Sequence, residues 1–114
     1  MDAGMGVTAA IMEMLLHTRR GVNYLFSGAP SSWHTVGFSG ILTEGAHLVG
    51  AKRVNGFVTE VAVESTAGGI FRLANPWSGV VLVECVPGTT TTMGGAILEL
   101  SLDRHQSATL TAHS

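Results

Sequence analysis

Cysteine, charged residues and long apolar runs are all scarce in this 114-residue chain. The single cysteine, Cys85, excludes an internal disulfide, and its setting in VVLVECV predicts a packing role in a strand. Only 12 % of the residues are charged and the net charge is −2, with no basic stripe, so the sequence lacks the electrostatic pattern of nucleic-acid binding. No apolar run reaches about 18 residues, so we expect no membrane-spanning helix.

Apolar residues take the place of the missing charges. They make up 46 % of the chain, and the mean hydropathy is +0.36. A typical globular domain carries about a quarter charged residues, so this surface is unusually apolar. Two interpretations follow: a compact β protein with a Thr- and Ser-rich surface, or a part of a larger protein that covers the apolar surface. The opening segment of the chain favours the second.

The stretch VTAAIMEMLL, residues 7–16, predicts an α-helix with a narrow polar face. At about 100° per residue its apolar side chains occupy more than half of the circumference, and Glu13 and His17 form the polar wedge. We predict a helix that ends near Arg20, with Gly21 as the residue that stops it. Such a helix needs cover on most sides. In an isolated chain it would pack on its own domain, form a homodimer or leave an exposed patch.

After Gly21 the hydrophobic period changes from about 3.6 to about 2, which is typical of β-strands. The architecture that we predict is mainly β: one N-terminal apolar helix in residues 1–21, then an antiparallel β-sandwich of seven or eight strands in residues 22–114. The tract TTTT, 89–92, is interpreted as part of a loop or an edge strand. The predicted strand segments are 22–26, 36–42, 46–54, 57–64, 70–74, 79–86, 96–102 and 107–112.

The dipeptide Asn55-Gly56 is the strongest local signal. Between two β-rich runs it predicts a two-residue hairpin, because both residues accept a positive φ. Strict alternation after this turn would place Phe57 on the same face as Val61 and Val63.

The histidines, glycines and carboxylates of the sequence form no catalytic or metal-binding pattern, and structural interpretations are favoured for them. The five histidines show no pairing at metal-ligand spacing, so we expect no metal and no cofactor. There is no G-x-S-x-G motif and no glycine-rich loop that opens a helix. Glu60 and Glu64 share a strand face about 13 Å apart, whereas the carboxylates of glycosidases stand about 5.5 to 9.5 Å apart. This pair is therefore interpreted as part of a solvated strand face.

Two tryptophans, Trp33 and Trp77, lie in turn-rich stretches. Exposed tryptophans on a β-sandwich can stack on sugar rings, whereas tryptophans at corners between strands are often buried in the core. Packing is the favoured interpretation. Sugar binding by Trp33, Trp77 and Tyr24 is the alternative.

Two longer stretches carry a family resemblance. They are DAGMGVTAAIMEMLLHTRRGVNYLFSGAPSSW and VGFSGILTEGAHLVGAKRVNGFVTEVAVESTAGGIFRLANPW. Their order resembles the C-terminal end of glycoside hydrolase family 95, the α-L-fucosidase-type enzymes. In that family an (α/α)6 barrel ends in an I-D-x-N-x-G stretch, followed by an apolar helix, an L-F-P-A-x-P-x-x-W phrase and a C-terminal β domain. The β-domain pattern is matched here by Phe38, Leu42, Glu44, Gly45, Ala46, Val49, Ala51 and Gly56.

This resemblance covers about residues 2–80, and its implications are expectations. It implies that VTAAIMEMLL is the last barrel helix, or the helix that joins the barrel to the sandwich. It also implies that Asp2 occupies the position of the general base of an inverting mechanism, although Gly4 stands where the family often has asparagine. The general acid and the substrate pocket belong to the barrel, so the chain alone is expected to be inactive.

The expected function is therefore that of a non-catalytic C-terminal accessory domain of a fucosidase-like glycoside hydrolase. It would pack against the catalytic helical barrel, its expected partner, and stabilise it. The alternative is a carbohydrate-binding module that uses exposed aromatic side chains, with carbohydrate as the partner.

Overall fold

The computed structural model describes residues 15–26, 34–43, 46–77 and 79–112, and this part of the chain is mainly β. Its strands form two sheets, with ten strands in the described residues. These residues contain no helix that is long and apolar enough to cross a membrane. The strands are β1 Leu16–Arg19, β2 Val22–Leu25, β3 Val36–Leu42, β4 His47–Val54, β5 Phe57–Ser65, β6 Gly69–Ala74, β7 Val81–Val86, β8 Thr90–Met93, β9 Ile97–Leu102 and β10 Ser107–Ala112.

The first sheet has the strand order β1-β2-β6-β9 and the second has the order β3-β4-β5-β10-β7-β8. Every pair is antiparallel except β2 and β6, which are parallel and meet at Asn23 and Leu73. All eight predicted strand segments are confirmed as strands, with small shifts at their ends. Of the two interpretations of the TTTT tract, loop or edge strand, the structure shows the edge strand, because β8 pairs with β7 at the end of the strand order. The predicted count of seven or eight strands is too low, since β1 and β8 bring the described residues to ten.

The core lies between the two sheets and takes alternate residues from each strand. Buried leucines and phenylalanine of β6 and β9 face buried valines of β4, β5 and β7. Burial of this apolar surface is the main force that holds the two sheets together. One polar ring takes part, since His47 is 2 % exposed and its ring lies 5.3 Å from that of Phe71. The largest buried apolar side chains are Phe71, Leu73, Leu98, Leu110, Val49, Val61, Val63, Val81 and Val83.

The predicted helix is wrong over its last turn. Residues Leu16–Arg19 form β1, which pairs with β2 in the register Leu16 to Leu25 and Arg19 to Val22. Arg20 and Gly21 form the turn between them, with φ of 53° and 78°. A helix end and this type of hairpin turn both need a residue with positive φ, which is why Gly21 fits either one. The rest of the predicted helix, residues 7–14, lies outside the described residues.

A bulge in β5 overturns the predicted alternation after the hairpin. Lys52 pairs with Glu60 but Arg53 pairs with Val58, so Thr59 is the extra residue. An extra residue reverses the side-chain faces of the strand beyond it. Val58 therefore packs against the core, and Phe57 is 76 % exposed instead of facing the core with Val61.

Candidate functional site

The strongest candidate site is an apolar groove at one end of the sandwich, which we call the Trp77 groove. Its volume is about 490 Å³. Three parts of the chain form it: the turn of the β4–β5 hairpin, the loop from β6 to β7 and the end of β10. The lining residues are Gly56, Phe57, Val58, Pro76, Trp77, Gly79, Val80 and Ala112.

The hairpin turn forms as the sequence predicts. Asn55 and Gly56 have φ of 52° and 82°, the values expected of a two-residue turn that matches the twist of the strands. The Gly56 N–H donates to the carbonyl of His34 at 2.8 Å, which ties the turn to the start of β3. This turn holds Phe57 at the rim of the groove.

Asn75 holds the loop that carries the tryptophan. Its side-chain oxygen accepts the N–H of Trp77 at 2.9 Å, closing an Asx-turn. Its side-chain nitrogen donates to the carbonyls of Gly79 at 3.2 Å and Gly95 at 3.0 Å. One polar side chain therefore joins both ends of the loop to the segment that precedes β9.

Trp77 is half-buried and packs against the core. Its indole N–H donates to the carbonyl of Val58 at 2.8 Å. Because this donor is used inside the fold, the ring is fixed in position and its polar edge does not face a ligand. The predicted packing role of Trp77 is confirmed, and part of the side chain still lines the groove.

The rim of the groove exposes large apolar side chains. Phe57 is 76 % exposed and Val80 is 47 % exposed. The side chains of the described lining residues are all apolar, so this part of the groove can bury apolar surface of a partner. Other exposed apolar residues, such as Leu42 and Val86, lie on other strands and outside this lining.

The remaining predicted site residues are not brought to this groove by the described structure. Asp2 and Trp33 lie outside the described residues. Tyr24 is half-buried on β2, where it pairs with His17 of β1. Trp77 lines the groove, and it belongs to the aromatic set that the alternative interpretation assigned to sugar binding (Trp33, Trp77 and Tyr24).

The histidines in the described part of the chain differ in exposure. His17, His34 and His105 are exposed, His47 is buried, and these residues include no group of three or more side chains that could hold a metal ion. Cys85 is a free thiol that packs against the core, as predicted.

Glu60 and Glu64 lie on the solvated face of β5, as interpreted from the sequence. Glu60 lies 3.8 Å from the ammonium of Lys52 on the neighbouring strand, and both side chains are well exposed. A pair this exposed contributes little to stability because water and salt screen it.

Phe57 is the groove residue that sequence reasoning missed. The Asn-Gly turn places it correctly along the chain, but its face depends on the bulge at Thr59. The segment FVTEVAVE alternates without interruption, so the sequence has no local signal for an extra residue. Tertiary contacts place the bulge, since Trp77 binds the carbonyl of Val58 directly beside it.

Comparisons with known proteins leave the family of the chain open. No protein-family model matches the sequence, and no curated protein is similar enough to count as a relative.

Proposed function

We propose that this chain is the non-catalytic C-terminal β-sandwich domain of a fucosidase-like glycoside hydrolase, which packs against the helical catalytic barrel and stabilises it. The observation that carries the proposal is the Trp77 groove, with its exposed Phe57 and Val80 at the rim. Large apolar side chains exposed together beside a groove can form a contact with another folded part. The apolar segment 7–14 would supply the other side of the contact.

The fold agrees with this role in a second respect. The first described residue, Leu15, is buried, and its carbonyl accepts the N–H of Phe26 at 2.9 Å. The chain thus enters the sandwich through a buried, hydrogen-bonded residue. A firm entry point would couple the position of a preceding barrel helix to the position of the sandwich.

A chimaera tests the stabilising role. The barrel of a family 95 α-L-fucosidase, without its own β domain, is fused in front of Asp2 of this chain. We expect the melting temperature of the barrel and the lifetime of its fucosidase activity to rise relative to the barrel alone. The control is the same fusion with Phe57→Asp, which should lose most of the gain. A folded sandwich that leaves both values unchanged would contradict the proposal.

The same fusion tests Asp2. The resemblance assigns it the role of general base, which activates the attacking water on the face of the sugar opposite to the leaving group. Asp2→Asn should then lower kcat by about 10² to 10⁴, the usual contribution of a general base, with KM nearly unchanged. Unchanged kcat would remove Asp2 from the proposed site.

A carbohydrate-binding module is the second candidate, and the observation that favours it is that Phe57 and Trp77 share one groove. Aromatic faces stack on sugar rings, but sugars are normally also held by polar side chains, and the described lining residues contribute none. The test is an NMR titration of the labelled chain with fucose, galactose and plant or milk oligosaccharides. Shifts at the Trp77 indole and at Phe57 would support a binding module, whereas a well-folded spectrum without shifts at millimolar sugar would count against it.

A further inference from the structure

The Trp77 groove and the entry of the chain lie at the same end of the sandwich. Strands β2 and β6 are parallel, so the C-terminal end of β2 at Leu25 and that of β6 at Ala74 lie at the same end of their sheet. Leu15 and Phe26 flank the β1–β2 pair at that edge and are joined by a hydrogen bond. The loop that carries Trp77 follows directly after β6.

A continuous set of contacts connects the entry point to the groove. The guanidinium of Arg53 lies over the ring of Phe26, 5.9 Å from its centre. Arg53 pairs with Val58 across the β4–β5 hairpin, and the carbonyl of Val58 accepts the indole N–H of Trp77. Arg53 and Val58 thus connect Phe26 to Trp77.

The segment immediately before Leu15 has the composition to fill such a groove. Residues 7–14 read VTAAIMEM, in which Thr8 and Glu13 are the only polar residues. Methionine and isoleucine fill irregular apolar surfaces well, since their side chains are large and, in methionine, flexible. The groove offers a matching surface of aromatic, proline and valine side chains.

Length and charge also fit. Eight residues span about 12 Å as a helix or about 26 Å as an extended strand, and the longest dimension of the described molecule is 38 Å. Because Leu15 and the groove lie at the same end of the sandwich, a segment of this length can extend from Leu15 toward the groove. Glu13 would lie near Arg53, which is half-buried beside Phe26 and has no carboxylate partner among the described residues.

From these observations we propose that residues 7–14 of this chain occupy the Trp77 groove, with their apolar side chains against Phe57, Trp77 and Val80. The inference rests on the proposed function in one respect: it identifies the surface on which the last barrel helix would meet the sandwich. The contact is intramolecular, so it forms in the isolated chain and is tested without a barrel.

The first experiment measures the contact directly. Methyl-labelled Met and Ile residues in the full chain are observed by NMR with protonated Phe and Trp rings. We expect nuclear Overhauser effects from the methyl groups of Ile11, Met12 or Met14 to the rings of Phe57 and Trp77. Ile70, exposed on β6, provides methyl signals that should show no such effects.

A pair of matched variants tests whether the groove protects the segment. Phe57→Asp and Ile70→Asp each place a charge at an exposed position, so neither disturbs the core. Because burial of one aromatic side chain is lost, Phe57→Asp should speed hydrogen exchange of amides 7–14 by about tenfold or more. Ile70→Asp should leave these rates unchanged. If Phe57→Asp does not fold, Val80→Asp tests the same surface from the β7 side.

Three results would overturn the inference. The first is the absence of Overhauser effects between the segment and the groove in a folded chain. The second is equal exchange of amides 7–14 in both variants and the original chain. The third is a contact that disappears on dilution, which would show a second copy of the chain in the groove. If these tests fail but the fusion still stabilises the barrel, the proposed function stands and the contact lies on another surface of the sandwich.

Discussion

Trp77 and Asn75 show at the scale of single residues how the groove is held in shape. Asn75 closes its turn with one side-chain oxygen and reaches two further carbonyls with its nitrogen. The sequence NPWSG predicts a turn from its residue types, and this prediction is confirmed. The acceptor of the indole N–H could not be predicted, because Val58 lies 19 residues away and meets Trp77 only through the tertiary fold.

Trp77→Phe tests the hydrogen bond of the indole. The substitution keeps an aromatic ring in the packed position but leaves the Val58 carbonyl without its donor. We expect the free energy of unfolding to fall by about 1 to 2 kcal/mol, measured by urea denaturation. Tyr24→Phe is the control, since no hydrogen bond of its hydroxyl occurs in the described part of the chain, and it should change stability by less than about 0.5 kcal/mol. Equal effects of the two variants would contradict the assigned role.

Gly56→Ala tests the backbone of the hairpin turn. A Cβ at this position would meet no atom within 4 Å, so any cost comes from φ of +82° and not from a clash. We expect a loss of about 1 kcal/mol in thermal or urea unfolding. Gly94→Ala is matched to it, since Gly94 also has open space but no positive φ. It should leave stability unchanged or raise it slightly.

At the scale of elements, the β1–β2 hairpin is where sequence and structure differ most. The segment up to Arg20 has helical periodicity, and its positive charges suit the end of a helix. In the fold, β1 instead completes the edge of the four-stranded sheet and buries Leu16 there. Pairing with β2 satisfies the same backbone groups that a helix would satisfy. Local periodicity does not decide whether a short segment forms helical hydrogen bonds or pairs with a strand. Here the pairing with β2 decides it.

Arg20→Asn distinguishes the turn from a helix end. Arginine is strained at φ of 53°, whereas Asn-Gly is the preferred pair for this turn. We expect Arg20→Asn to raise the free energy of unfolding by about 0.5 to 1 kcal/mol. In a helical last turn the same change would lower stability, because asparagine has a poorer helix propensity than arginine. Urea denaturation gives the sign, and a destabilised variant would contradict the hairpin.

At the scale of the whole molecule, two sheets share one apolar core. The alternation in ILELSL places Leu98, Leu100 and Leu102 on one face of β9, and all three are buried. The alternation does not indicate which strands form the opposing sheet, or in what order. Strand β9 bonds to β6 and β10 bonds to both β5 and β7, an arrangement that depends on long-range pairing.

Leu98→Ala tests the shared core. The side chain is 1 % exposed, so its removal leaves a cavity between the sheets. We expect a loss of about 2 to 5 kcal/mol, with both sheets unfolding in one transition. Ile97→Ala, one residue away and 43 % exposed, is the control and should cost far less. Circular dichroism and Trp77 fluorescence followed together in urea report whether the transitions coincide.

The sequence by itself determined the β class, the eight strand segments and the Asn-Gly turn, and it limited the threonine tract to a loop or an edge strand. These features depend on residue periodicity and on φ preferences, which act over a few neighbouring residues. Tertiary structure alone decided the strand identity of Leu16–Arg19, the parallel pairing of β2 with β6 and the outward face of Phe57. Each of these depends on which strand supplies the hydrogen-bond partner and in which register, and side-chain periodicity within one segment does not encode that choice. The Trp77 groove likewise forms where three segments that are distant in sequence meet at one end of the sandwich: the β4–β5 turn, the β6–β7 loop and the end of β10.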